Sequence, residues 1–217
     1  MSGPRILAVV AAVALVLLVL ALREDRDGTV RRGLEVSEDA FAAAESALES
    51  LEPDYEYLQQ RGLVLALKEE HDGLRTQLAA LRSRGVDLAD DRTLPSVERL
   101  ERLRALAHET DLLTAGALGL ADKLAARAGF VRDSNPLLIR ARAQRDALNA
   151  LPDVDDATAA RIADLGRNFA ELENQVGSTM LLLQQNPGQG KIMAAVTLKG
   201  LRTLLDQQQA LVDAADG

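Results

Sequence analysis

The chain has 217 residues with 25 Lys+Arg against 33 Asp+Glu, a formal charge of −8, no Cys, no Trp, 2 Tyr and 3 Phe. Ala, Leu, Glu, Lys and Arg supply about half of it, the composition of long helices and coiled coils, while Val, Ile and aromatic residues beyond residue 22 are too scarce to furnish strands. The missing cysteines exclude a disulfide framework, a thiol nucleophile and a lipidated thiol, and an acidic chain without aromatic stacking platforms is not expected to bind nucleic acid.

The expected fold class is all-α, with a single N-terminal transmembrane helix followed by an antiparallel bundle or coiled coil of long helices. Residues 1–5 make a short head. From Ile6 to Leu22 every side chain is apolar. A bilayer-spanning helix needs roughly 20 such residues, with about 17–25 tolerated, so 6–22 reads as a membrane anchor. The competing reading is a cleaved signal peptide, for which Val19 and Ala21 make a fair cleavage site. Arg23, Arg26, Arg31 and Arg32 follow the apolar run against Arg5 before it, which by the positive-inside count favours a cytoplasmic C-terminal region. Against that, Glu24, Asp25 and Asp27 interleave with those arginines, and long domains translocate largely regardless of charge. A head without a domain also fits a signal-anchor, so the expectation is a single-pass protein of the cell membrane with its helical domain extracytoplasmic (periplasmic).

Residues 23–36 are charged, contain Gly28 and Gly33 and lack an apolar period, the pattern of a juxtamembrane linker. Residues 37–214 form the helical domain, and 215–217 a tail. Ser37 with Glu38 and Asp39 starts the first helix, in which Phe41, Ala44, Leu48 and Leu51 recur at 3-4-3 spacing until Pro53. A second helix, Asp54 to about Arg84, carries Val64, Leu67, His71, Leu74, Leu78 and Leu81 in alternating steps of three and four, the seam of a helix packed lengthwise on another. Gly85 is expected to end it. A third begins near Pro95, places Leu103, Leu106, Thr110, Leu113, Ala117, Leu120 and Leu124 on one seam, and stops near Gly129. The second and third rods are expected to form an antiparallel hairpin. Asn135-Pro136 starts a shorter helix ending at Leu151-Pro152. Asp155 opens the fifth, with Ile162, Leu165, Phe169, Leu172 and Val176 in register, broken at Asn186-Pro187-Gly188. The sixth, Lys191 to about Val212, aligns Leu198, Leu201, Leu205, Gln208 and Val212. No internal repeat is evident, because the segments differ in length and in their break residues. Interior glycines at 62, 73, 116, 119, 166, 177 and 200 each cost about 0.8–1 kcal/mol relative to Ala in a helix, so kinks or close helix approaches are expected there.

Chemistry-bearing motifs fail one after another. His108-Glu109-Thr110-Asp111-Leu112 begins like a zinc helix, but Leu112 stands where the second ligand belongs. His71 lies on the seam, where a polar residue fixes register or pairs with a carboxylate. Gly188-Gln189-Gly190-Lys191 echoes the end of a phosphate loop, yet Gln185 replaces its first Gly, Ile192 its Ser/Thr, and a helix precedes it. Asp153-Val154-Asp155-Asp156 starts like a calcium loop without the Gly or the distal Glu, and reads as an acidic helix start. Neither His71 nor His108 has Glu three residues before it, as a di-metal bundle would require. No catalytic, cofactor or metal site is therefore expected, and no small-molecule substrate.

One charge cluster stands out. Arg127, Arg132, Arg140, Arg142 and Arg145 face only Asp133 over residues 127–145, and Arg99, Arg102 and Arg104 form a second group. The first cluster suits an acidic partner or lipid headgroups, or else a solvated face balanced by carboxylates of adjacent helices. Lipid contacts through 6–22 and a protein partner or second copy along the heptad seams complete the expected interactions. The leading functional expectation is a membrane-anchored, non-enzymatic helical scaffold or interaction protein. The alternative is a single-pass ligand-sensing bundle that signals through a partner.

Overall fold

The computed structural model describes the backbone of residues 3–91, 93–152 and 154–216, and within that set the side chains from 28 to 214 apart from 29, 65 and 66. Five helices and no strand occur among the described residues: α1 (Gly3–Gln59), α2 (Leu65–Asp90), α3 (Ser96–Asn149), α4 (Asp156–Gln185) and α5 (Pro187–Asp216). The apolar side chains of 6–22 on which the membrane expectation rests lie outside the described residues. Among the described ones no helix is long and apolar enough to cross a membrane.

Three expected helix breaks are absent. Pro53 and Pro136 lie inside α1 and α3. A helix-interior proline removes one backbone hydrogen bond and crowds the preceding turn, at a cost of roughly 3 kcal/mol. Both prolines are exposed, so the carbonyls they leave unpaired lie on the solvent side of the helix, while the opposite stripe stays buried through Leu51, Tyr55 and Leu58 in α1 and Val131, Ser134 and Ala141 in α3. Gly85 does not end α2 either. It occupies the next seam position after Leu81, and a Cβ there would stand 3.1 Å from the Phe41 ring and 3.3 Å from Leu106. Residues 28–36, expected as linker, are helical: Val30, Gly33 and Ser37 are buried at 3-4 spacing and continue into Ala40 and Ala44.

The break between α1 and α2 sits instead at Gly62. Its φ of 69° is the left-handed conformation that L side chains resist. Gly62 N–H donates to Gln59 C=O (2.9 Å) and Leu63 N–H to Leu58 C=O (2.9 Å), the paired bonds of a Schellman cap that satisfy two terminal carbonyls of α1. The α4–α5 turn is tighter. Asn186 closes α4 by donating its N–H to Leu182 C=O, and its side chain accepts from Gln189 N–H at 3.2 Å, with Pro187 in the first turn of α5. Gly190 is required there by close approach, since a Cβ would lie 2.6 Å from Leu183 backbone atoms.

Two compact units divide the chain: residues 1–50 with 68–118, and residues 51–67 with 119–217. In the first, Arg82 of α2 pairs with Glu45 of α1 (2.6 Å) and Gly85 meets Phe41, so α1 and α2 run antiparallel. Arg84 pairs with Glu109 (2.6 Å) and Gly116 faces Leu74, so α2 and α3 are antiparallel as well. Gly33 of α1 faces Leu100 and Leu103 of α3. The unit is an up-down-up three-helix bundle whose core holds Phe41, Leu48, Leu78, Leu81, Leu103, Leu106 and Leu113. The expected α2–α3 hairpin is present within it. Each of these side chains contributes about 1.5–3 kcal/mol by leaving water.

The second unit repeats that order. Arg142 of α3 pairs with Glu173 of α4 (2.6 Å), and α4 and α5 are antiparallel through a buried Thr179–Thr197 hydroxyl contact (3.1 Å) and Gly200 against Leu172. Lys191–Asp122 (2.7 Å) and Gln144–Gln209 (2.6 Å) set α5 parallel to α3. Phe169, Ala141, Leu204 and Leu205 form a core cluster with Leu137, Leu138, Leu165 and Leu172 packed on it. The end of α1 joins this unit through Asp54, which pairs with Arg132 at 2.7 Å.

Two stability predictions follow from the caps. Gly62→Ala should destabilise the fold by about 1–2 kcal/mol, the penalty of the left-handed region for an L side chain, read as a lower midpoint in urea unfolding followed by circular dichroism. At the start of α4, Asp155 accepts from Thr158 N–H at 2.6 Å, and that backbone bond holds its carboxyl below the ordinary 3.8. The folded value is depressed, so the contribution is fully present above the unfolded-state value and is lost as pH falls through the folded one. Asp155→Asn, which keeps the accepting oxygen, should flatten part of the decline in melting temperature between pH 4 and 2; an unchanged acid limb would show that the charge at this cap is not coupled to folding.

Candidate functional site

The arginine cluster of α3 divides once the neighbouring helices are in place. Arg132 reaches back to Asp54 and lies 4.4 Å from the Tyr57 ring centre. Arg142 donates through Nε (2.9 Å) and an Nη (2.6 Å) to one Glu173 oxygen. Arg145 pairs with Asp146 (2.8 Å), and its guanidinium lies over the Phe169 ring, 5.2 Å from the ring centre. Arg140 is exposed and has no ion pair among the described residues. Exposed pairs of this kind contribute about 0–1 kcal/mol each. Their effect is to fix which helix faces which and in what register. The second arginine group is local: Arg102 pairs with Glu98 one turn away and Arg99 reaches the Asp91 carbonyl.

Arg127 differs from the other four. It is 7% exposed, one Nη lies 3.4 Å from the Gln184 side-chain oxygen, and its Nε is buried without a partner. No carboxylate lies within ion-pair distance among the described residues. Burial alone pushes the guanidinium below its ordinary value, the signature of a charge removed from water without compensation.

Beside Arg127 opens a cavity of about 410 Å³, wholly within the second unit. Leu63, Val131, Leu138, Val176 and Met180 give it apolar walls, Ser134 and Asn135 add a hydroxyl and an amide, and the Arg142–Glu173 pair borders it. That volume and lining fall in the range of small-molecule sites, roughly 300–1,000 Å³ with a few polar groups. A larger trough of about 540 Å³ between α4 and α5 is lined by Glu171, Gln175, Lys199 and Gln207 and holds no buried charge. In the first unit a groove of about 430 Å³ between α2 and α3 is bordered by the Arg84–Glu109 pair.

The remaining candidates from the sequence are placed as follows. His108 is exposed. His71 is buried, its Nδ1 is 3.1 Å from Asp72 and its Nε2 accepts from Arg75 Nε at 3.3 Å, so it belongs to a local polar chain on the seam. Lys191 of the glycine-rich turn pairs with Asp122. Among the described residues no three His, Asp or Glu side chains gather as metal ligands would. The sequence pointed to Arg127 and Arg142 but not to the cavity, whose walls come from three separate stretches of chain. A signal was present: Arg127 falls four residues before Val131 and three after Leu124, in step with the apolar seam. Compared with protein-family models, with curated proteins and with solved structures, the chain matches none of them.

Removing the charge tests how Arg127 is tolerated. An unpaired buried cation is a net cost to the fold, and an apolar side chain of similar length avoids it. Arg127→Met should leave the unfolding free energy from urea titration unchanged or raise it; a loss of more than about 2 kcal/mol, that expected when a needed buried hydrogen bond is broken, would show that the guanidinium holds α3 to α4.

Proposed function

We propose that this protein is a non-enzymatic helical scaffold or interaction protein, held at the cell membrane through residues 6–22 with its helical domain on the extracytoplasmic side. The observation that carries the reading is where apolar surface remains after each unit has closed its own core. Leu181, Ile192 and Val196 are 57%, 67% and 52% exposed on α4 and α5. The antiparallel register set by Gly190 against Leu183 places Leu181 level with Ile192. Large apolar side chains grouped on a surface mark interaction sites, and this group offers a protein partner or another copy of the chain something to bury. The interhelical ion pairs serve the same end by keeping the helices in one register, so that the outward stripe is presented as a fixed surface. The apolar run of 6–22 supports the membrane tether through its length.

A ligand-binding bundle that signals through a partner is the second reading, favoured by one observation, the cavity beside the uncompensated Arg127.

The scaffold reading expects the full chain to stay with membranes through an alkaline carbonate wash and a chain lacking residues 6–22 to be released. It also expects amine-reactive crosslinking of the full chain in its native membrane to give discrete adducts that disappear in Leu181→Glu/Ile192→Glu. Release of the full chain by carbonate would overturn the tether, and adducts indifferent to both substitutions would overturn this surface as the contact.

A further inference from the structure

We infer that the cavity between α3 and α4 binds a single-chain organic anion, a carboxylate carrying an apolar tail, with its charge on Arg127 and its tail against Val131, Val176 and Met180. This goes beyond the scaffold reading and does not depend on it. Three observations converge. First, Arg127 lines the cavity, is more than nine-tenths buried, and keeps a buried Nε without a partner. A buried cation lacking a counter-charge is costly, and a planar guanidinium offers parallel N–H donors that match a carboxylate. Second, Leu63, Val131, Leu138, Val176 and Met180 form an apolar part of the lining against which a tail can lie. Third, the other charges at the cavity cancel one another, since Arg142 and Glu173 are paired at 2.6 Å, so Arg127 is the uncompensated charge there. A cationic or neutral amphiphile would leave that charge unmet. Ser134 and Asn135 add a hydroxyl and an amide to the α3 wall about two turns beyond Arg127.

Gly177 supplies a way to close the cavity without touching Arg127. It lines the cavity on α4, and a Cβ added there meets nothing within 4 Å. A larger side chain at 177 therefore extends into open space rather than against backbone, and the helix gains by losing a glycine.

The test uses the full chain with methyl-¹³C methionine in zwitterionic lipid nanodiscs. Met180 lines the cavity, and Met193 of α5 does not, so the two methyl resonances give a site signal and an internal control. Octanoate should move the Met180 methyl resonance saturably and leave Met193 in place, whereas octanol and octylamine at equal free concentration should not. Arg127→Met should raise the octanoate midpoint at least tenfold, and Gly177→Leu should abolish the shift while the circular dichroism melt stays cooperative. If Arg127→Met fails to fold, Gly177→Leu and the octanol comparison still decide. A Met180 resonance that does not respond, an equal response to octanol, or octanoate binding unchanged in Gly177→Leu would each overturn the site. A response to nanodiscs containing anionic lipid but not to octanoate would also overturn it, assigning the charge to a lipid headgroup instead.

Discussion

Among the described residues each helix buries one narrow stripe, and the stripe has to stay in phase along the helix. α3 shows how far that constraint reaches. From Leu103 the positions 106, 110, 113, 117, 120, 124, 127, 131, 134, 138, 141, 145 and 148 alternate in steps of three and four without a slip. Such a period keeps a stripe on one side of a helix over many turns. Because the phase never changes, α3 contributes first to a bundle with α1 and α2 and then to one with α4 and α5.

The seam also explains where the awkward residues are found. Prolines at 53 and 136 are tolerated because they fall on the exposed stripe, where water can take up the carbonyl that each leaves unpaired. Glycines at 33, 85 and 190 are on the buried stripe, where a neighbour comes close enough to need the space of a missing Cβ. Gly62 alone acts through its backbone angle, and there the helix ends. The residue type does not decide whether a helix stops; its place relative to the stripe does.

That distinction marks what a reader of the sequence can and cannot see. The all-α class and the seams of Val64–Leu81 and Leu103–Leu124 are legible because Leu and Val announce a 3-4 period, and every residue named on the second of these is buried. The same period continues through Val30, Gly33, Ser37 and Ala40, and through Arg127, Ser134, Ala141 and Arg145, but there it is written in small or polar side chains. Hydropathy alone registers those stretches as linker and as helix end. Local propensity points to breaks at Pro53, Gly85 and Pro136, and tertiary burial overrides it at each. In α5 the buried stripe is shifted toward Thr197, Leu204 and Leu211 from the expected Leu198 and Val212, because Leu pairs at adjacent positions allow two phases and only packing against α4 chooses. The cavity was illegible for a related reason: its walls come from α3, α4 and the turn after α1, and no local pattern joins them.

Polar residues on a seam have different outcomes according to what the facing helix offers. Thr179 and Thr197 satisfy one another, and Arg145 sets its guanidinium over the Phe169 ring and pairs it with Asp146. Gln208 is fully buried with neither amide atom bonded among the described residues, a cost that the surrounding leucines do not offset by hydrogen bonding. Arg127 combines the largest such cost with an adjoining space. At Gln208 the polar group is enclosed, with Leu204 and Leu211 one turn away on either side; at Arg127 the stripe opens into a cavity large enough for a small molecule. A seam position that only needed to be filled would be met by the Leu, Val or Ala that occupy most of the α3 seam. Placing a cation there without a carboxylate in ion-pair distance, the cavity's Glu173 being taken by Arg142, leaves its charge uncompensated, and an anion supplied from outside is the chemistry that completes it.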